Sequence, residues 1–167
     1  MVMNLGQREE ETTKIRDQEI KKILLAIDES EYKGKIIRQG LRIAKSLGSE
    51  LTALHVIEKS SISALGGLLG YYDLGDVGNY EEELKKRARE LLGEAESLAK
   101  EAAVKINIEV IMSHSSAAEG IINYASSTNM DLIVIGTKGM SGAHRFLMGG
   151  VANKVMSHAH CSVFAVR

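Results

Sequence analysis

Five short apolar runs alternate along this chain with four stretches whose apolar residues recur every three or four positions. This alternation limits the fold more than any other feature. Runs this short suit strands covered on both faces, as the strands of parallel sheets are, and parallel neighbours need a crossover that is usually a helix. The first run, Lys22 to Ile27, ends at Asp28. Ser30 is placed to cap a helix that carries Ile37, Leu41, Ala44 and Leu47 and closes at Gly48. The second strand is Leu51 to Val56. Residues 58–79 then read as a long glycine-rich insertion, apolar between Ile62 and Tyr72, that suits a short helix over the sheet, a flap over a ligand or a docking surface. A long amphipathic helix follows from Tyr80 to about Val104, on a stripe of Leu84, Ala88, Leu91, Ala95, Leu98 and Ala102.

The third strand, Ile106 to Met112, alternates as an edge or half-exposed strand would. A helix holding Ala118, Ile121, Ile122 and Ala125 ends near Asn129. Asp131 to Ile135 is the fourth strand, and a loop from Gly136 to Met148 leads into a helix from Gly149–Gly150 to about His158. The last strand is Ser162 to Val166. The pattern is that of an α/β fold, a single doubly wound domain over residues 21–167 with right-handed crossovers and helices on both faces. Residues 1–20 are polar, with Glu9, Glu10 and Glu11 in a row, and read as a flexible leader.

Composition narrows the function classes. The 167 residues are 44% apolar and 26% charged, enough to bury a core. With 21 basic against 22 acidic residues the net charge is −1, so no strong field favours nucleic acid or an anionic membrane. One cysteine, Cys161, excludes an intramolecular disulfide framework and any zinc site needing two thiolates. No apolar run reaches the roughly 18–20 residues of a membrane helix. The first twenty residues lack the apolar core of a signal peptide, which points to a cytoplasmic protein. The chain has no proline, so its turns rest on Gly, Asn, Asp and Ser.

In doubly wound sheets ligands bind outside the carboxyl ends of the strands, where strand order reverses. Here those ends are Asp28, Val56, Met112 and Gly136. The informative stretch is Gly136-Thr137-Lys138-Gly139, nine residues, then Gly149-Gly150-Val151-Ala152-Asn153. Glycines at 136 and 139 let the chain turn off a buried strand and let a ligand approach the backbone. Those at 149 and 150 open a helix whose free N–H groups and dipole suit a phosphate, with Lys138, His144 and Arg145 close in sequence. Glycine spacing alone fits equally a strand end and a helix start with no ligand.

From about Lys21 to Arg167 the chain resembles the universal stress protein family of small adenine-nucleotide-binding α/β proteins. The likeness rests on G136-TK-G139-MSGAHRFLM-G149-G150, on AIDES at the first strand, on LHV in the second and on the final HAHCSVFAVR. It implies a five-stranded parallel sheet in the order 3-2-1-4-5 and an ATP or AMP ligand, with Mg²⁺ for a triphosphate. Ala26, Ile27 and Asp28 would line the adenosine pocket and backbone of Val56 would meet the adenine edge. Ile135, Gly136 and Gly139 would pass under the ribose and α-phosphate. Gly149, Gly150, Val151 and Ala152 would offer backbone N–H groups to the phosphates. Three departures stand out. Gly150 replaces a Ser or Thr, a lost hydroxyl that at roughly 1.5–3 kcal/mol weakens triphosphate binding about tenfold or more. Ser115-Ser116-Ala117 stands where Gly-x-Pro is common, and Glu29 where glycine is common. The resemblance also implies a homodimer through the edge strand Val163, Phe164, Ala165 and Val166, and a nucleotide-responsive regulatory or stress-response module with an unidentified protein partner. A dimeric scaffold with weak or lost nucleotide binding is the alternative.

Other chemistry is weakly represented. There is no G-x-x-x-x-G-K-[ST], no G-x-G-x-x-G after the first strand and no G-x-S-x-G. His158 and His160 lack a carboxylate cluster, His55 reads as a packed or hydrogen-bonded histidine, and His114 among serines lacks a nucleophile elbow. Cys161 reads as an inert thiol. No catalytic group and no protein metal site is assigned, and a slow ATP hydrolase is the most enzymatic reading.

Overall fold

In a computed structural model, residues 19–59, 74–137 and 149–167 are described, and among them five strands alternate with four helices. β1 (Lys22–Ala26) leads through α1 (Lys33–Leu47) to β2 (Glu50–Glu58). After α2 (Leu74–Ala102) come β3 (Ile106–Ser113), α3 (Ala117–Ser127), β4 (Leu132–Gly136), α4 (Gly150–His158) and β5 (Ser162–Val166). All four pairings are parallel, and the sheet order is β3-β2-β1-β4-β5, the order expected. The chain therefore winds outward from β1 to β3, returns to place β4 on the other side of β1, and finishes outward at β5. Between β1 and β4 the direction of winding reverses.

Strand alternation divides the core into two layers. Ile23, Leu25 and Ile27 from β1, Leu51 and Ala53 from β2, and Leu132 and Val134 from β4 meet Ile36, Ile37 and Leu41 of α1 and Leu92, Ala95 and Ala99 of α2. On the opposite face Leu24, Ala26, Leu54, Ile133 and Ile135 meet Ala118, Ile121 and Ala125 of α3 and Ala152 and Val155 of α4. Each large aliphatic side chain fully buried this way stabilises the fold by about 1.5–3 kcal/mol relative to exposure. Two helices lie so close to the sheet that a side chain larger than glycine would have to displace its neighbour. A Cβ at Gly40 would sit 2.2 Å from Leu25 Cδ2, and one at Gly120 2.7 Å from Val56 Cγ1.

Three features differ from the sequence reading. Ser30 does not cap α1: the N-cap is Tyr32, without a side-chain bond. The Asp28 carboxylate accepts the Ser30 amide at 3.1 Å, making an intervening turn whose Ser30 carbonyl accepts the Lys33 amide. Second, α2 begins at Leu74, inside the segment read as insertion, and β2 runs on to Glu58. Third, the buried line of α2 is Ala88, Leu92, Ala95 and Ala99, with Leu91, Leu98 and Ala102 half-buried beside it. The Ile62–Tyr72 stretch and the leader up to residue 18 lie outside the described residues. Gly48 closes α1 in the left-handed conformation (φ 69°), as its position promised.

At the amino edge of the sheet one side chain joins β1 to β4. Asp131, just ahead of β4, accepts the amides of Lys21 (2.9 Å) and Lys22 (2.8 Å) through Oδ2, joining the start of β1 to β4. β3 and β5 are the two edges.

Candidate functional site

The carboxyl edge of the sheet gathers most of the residues singled out in the sequence. Ala26, Ile135 and Ala152 are buried together in the α3/α4 layer, with Val56 packed against them. Ile27 points the other way, into the α1/α2 layer, so only its backbone faces the site. That backbone is engaged: Ile27 N–H donates to the Leu54 carbonyl at 2.9 Å, and His55 Nδ1 donates to the Ile27 carbonyl at 2.8 Å. His55 is thus the hydrogen-bonded histidine its position suggested, and it fixes the exit of β1. Asp28 follows, half-buried, its carboxylate held by the Ser30 amide.

Across the reversal point, Gly136 ends β4 and Thr137 continues its ladder by one bond, its N–H donating to the Val166 carbonyl at 2.8 Å. The Thr137 carbonyl accepts the Gly149 N–H at 2.7 Å, which sets the amino end of α4 directly against the end of β4. Gly149 is the N-cap and offers no side-chain bond. The first bond within α4 runs from Asn153 N–H to the Gly149 carbonyl, so the N–H groups of Gly150, Val151 and Ala152 precede the helix ladder. Gly150 and Val151 are exposed, and an ideal Cβ on Gly150 meets nothing within 4 Å. Gly139, Lys138, His144 and Arg145 lie outside the described residues.

Two buried side-chain hydroxyls lack a hydrogen-bond partner among the described residues, Ser30 Oγ and Thr137 Oγ1. They follow β1 and β4, the two strands that flank the reversal. An unpartnered buried hydroxyl costs about 1–3 kcal/mol, so each of these two, one after β1 and one after β4, has room for a partner such as a water or a ligand atom. In the sequence Ser30 was singled out only as a helix cap, which it is not, and Thr137 only as part of the run between Gly136 and Gly139. Thr137 was legible, because counting alternately from Ile133 and Ile135 sets it on the α3/α4 face.

A second helix amino end opens at this edge, and it is closed. Glu58, the last residue of β2, accepts the Ala117 N–H at 2.6 Å, and Ser116 Oγ accepts the Glu119 N–H at 3.3 Å. The carboxylate and the cap satisfy α3 from within the chain. Of the two helix amino ends on the α3/α4 face, that of α4 has no side-chain cap among the described residues. No group of His, Cys, Asp and Glu able to hold a metal occurs among the described residues. Cys161 is half-buried, and burial pushes its thiol above the ordinary value, with Asp131 adding to the shift.

Comparison with known proteins adds a lineage to this geometry. A model of the universal stress protein family matches residues 19–167. The chain is 33% identical over 150 residues to a universal stress protein of Methanocaldococcus jannaschii, covering 88% of this chain and 82% of that one. The solved structure of a universal stress protein from Archaeoglobus fulgidus in complex with dAMP superposes with a TM-score of 0.61 at 21% identity, covering 88% of this chain and 98% of the other. A family protein from Arabidopsis thaliana with AMP bound gives 0.60 at 16% identity, covering 87% and 90%.

Proposed function

We propose, because this chain belongs to the universal stress protein family, that it binds an adenine nucleotide at the carboxyl ends of β1 and β4 and acts as a nucleotide-responsive regulatory module. The observation that carries the reading is that the amino end of α4, without a side-chain cap among the described residues, is hydrogen-bonded to Thr137 at the end of β4, while Asp28 follows the neighbouring β1 and Ser30 and Thr137 keep unpartnered hydroxyls. Donors and a helix dipole suit phosphate; an acceptor beside the strand ends suits ribose hydroxyls. The dAMP and AMP complexes of the Archaeoglobus and Arabidopsis relatives favour the same ligand class. In this reading Ala26, Val56 and Ile135 form the apolar bed, Asp28 holds the sugar, and Gly149, Gly150, Val151 and Ala152 hold phosphate, with Mg²⁺ entering only with a di- or triphosphate. Response to the nucleotide requires that it bind one conformation better than another.

Two further parts of the proposal concern assembly and turnover. The chain pairs as a homodimer through β5, which is hydrogen-bonded on one side only, to β4, and whose Phe164 is 43% exposed. Hydrolysis of ATP, if measured, is slow, since positioning is all these residues supply. A dimeric scaffold without nucleotide is the second reading, kept by Gly150, which removes a hydroxyl from the phosphate end. The test is to denature freshly purified protein, identify released nucleotide by mass spectrometry, and titrate stripped protein with ATP, ADP and AMP, with and without Mg²⁺. Micromolar binding of any of them supports the module; binding of none leaves the scaffold.

A further inference from the structure

We infer that Thr137 is the hydroxyl donor to the nucleotide phosphate in this chain, a part that Gly150 cannot play. The inference rests on the adenine-nucleotide reading above and assigns one atom within it. Thr137 is 8% exposed, its Oγ1 is buried, and that atom has no hydrogen-bond partner among the described residues. Both of its backbone groups are engaged, N–H to Val166 and carbonyl from Gly149. With the backbone fixed at both sides, the only freedom left to the residue is rotation about its Cα–Cβ bond, which swings Oγ1 around a fixed point. That point is bonded to the amino end of α4 through the Thr137 carbonyl, and alternation from Ile133 and Ile135 sets the side chain on the face where Ala26 and Ala152 lie. A phosphoryl oxygen gripped by the Gly150 and Val151 N–H groups supplies the missing acceptor. The hydroxyl has a donor to give and two lone pairs besides, so it serves either the oxygen or a water on it.

The position explains a residue choice. Valine has the same shape as threonine, suits the end of a buried strand and leaves no hydroxyl unpaired. In a protein with no ligand here, valine would be the better residue. Threonine gains over valine where a ligand arrives to accept its hydrogen bond.

The experiment compares Thr137→Val and Thr137→Ser with wild type by thermal unfolding without nucleotide and by calorimetric titration of AMP, ATP and adenosine. Thr137→Val should raise the Tm of the nucleotide-free protein, weaken AMP and ATP about tenfold to a hundredfold, and leave adenosine unchanged. Thr137→Ser should keep affinity near wild type. A merely structural hydroxyl reverses the first result, lowering Tm in Thr137→Val with affinity intact, and that overturns the assignment. Equal weakening of adenosine overturns it too, since the contact would then be to the nucleoside. If wild type binds none of the three, the nucleotide reading itself fails, which is distinct from a wild type that binds and a Thr137→Val variant that binds equally well.

Discussion

At single residues the structure separates positions that tolerate change from those that do not. A Cβ at Gly150 meets open space, so Gly150→Ser fits without strain from the described residues. If the α4 amino end holds phosphate, the new hydroxyl should tighten ATP about tenfold or more. Calorimetry reads this directly, and an unchanged Kd would mean that backbone N–H groups and Thr137 already satisfy the phosphates. Gly40 is the opposite case. An alanine there brings its Cβ to 2.2 Å from a Leu25 side chain that is fully buried, and the overpacking should cost about 1–3 kcal/mol. At roughly 2–4 °C for each kcal/mol in a chain of this size, thermal unfolding shows it plainly. Cys161 tests burial by chemistry. Its thiol is pushed up chiefly by desolvation, so folding favours the protonated form; stability is undiminished below the ordinary value of 9.0 and falls as pH rises from there through the raised folded value, because the unfolded chain ionises first. Iodoacetamide should therefore label the folded protein far more slowly than the unfolded chain at neutral pH.

Among elements, the chief devices are long-range and carboxylate-based. Glu58→Ala removes the acceptor that closes the amino end of α3 and should lower stability by about 0.5–2 kcal/mol, read as a fall in Tm, with Glu58→Gln recovering part of it. The starts of β2 and β3 are joined by Lys105 Nζ and Glu50 Oε1 at 2.7 Å. The Lys105 hydrogen bond and charge hold the Glu50 carboxyl below its ordinary 4.5, so the pair contributes above that pH and its contribution is lost as pH falls through the lowered value. Both groups are exposed, so the gain is small: Glu50→Gln should unfold slightly below wild type at pH 7 and together with it at pH 2. The order of these elements was readable because buried parallel strands leave continuous apolar runs such as Leu132–Ile135, and because α1 and α3 carry their apolar residues at helical spacing. Boundaries were less readable where a contact decides them. Asp28 captures the Ser30 amide and delays α1 to Lys33, and the glycines at 75 and 78 disguise the first turns of α2. The bond from Ala117 to Glu58 spans 59 positions and left no local sign in the sequence.

For the whole molecule, the reversal between β1 and β4 was anticipated, since it follows from alternation plus family likeness, and the residues placed at it, Ala26, Val56, Ile135 and Ala152, do share one face. What the sequence could not supply was polar satisfaction. Whether Thr137 and Ser30 find partners, or which helix end is already occupied, depends on three-dimensional neighbours rather than on residue type. The proposed assembly is tested at this scale: Phe164→Asp, on the exposed side of the edge strand, should shift the protein from dimer to monomer in sedimentation velocity without unfolding it. A variant that sediments as wild type would move the interface elsewhere. The parallel sheet has one further consequence. Every strand starts at the same rim, and Asp131 clamps Lys21 and Lys22 to that rim, about 17 Å of strand away from the exits that lead to Asp28 and Thr137. A tether joined at Glu19 leaves from the rim opposite those exits, so protein immobilised on a sensor chip through that residue presents the exits to the flowing solution.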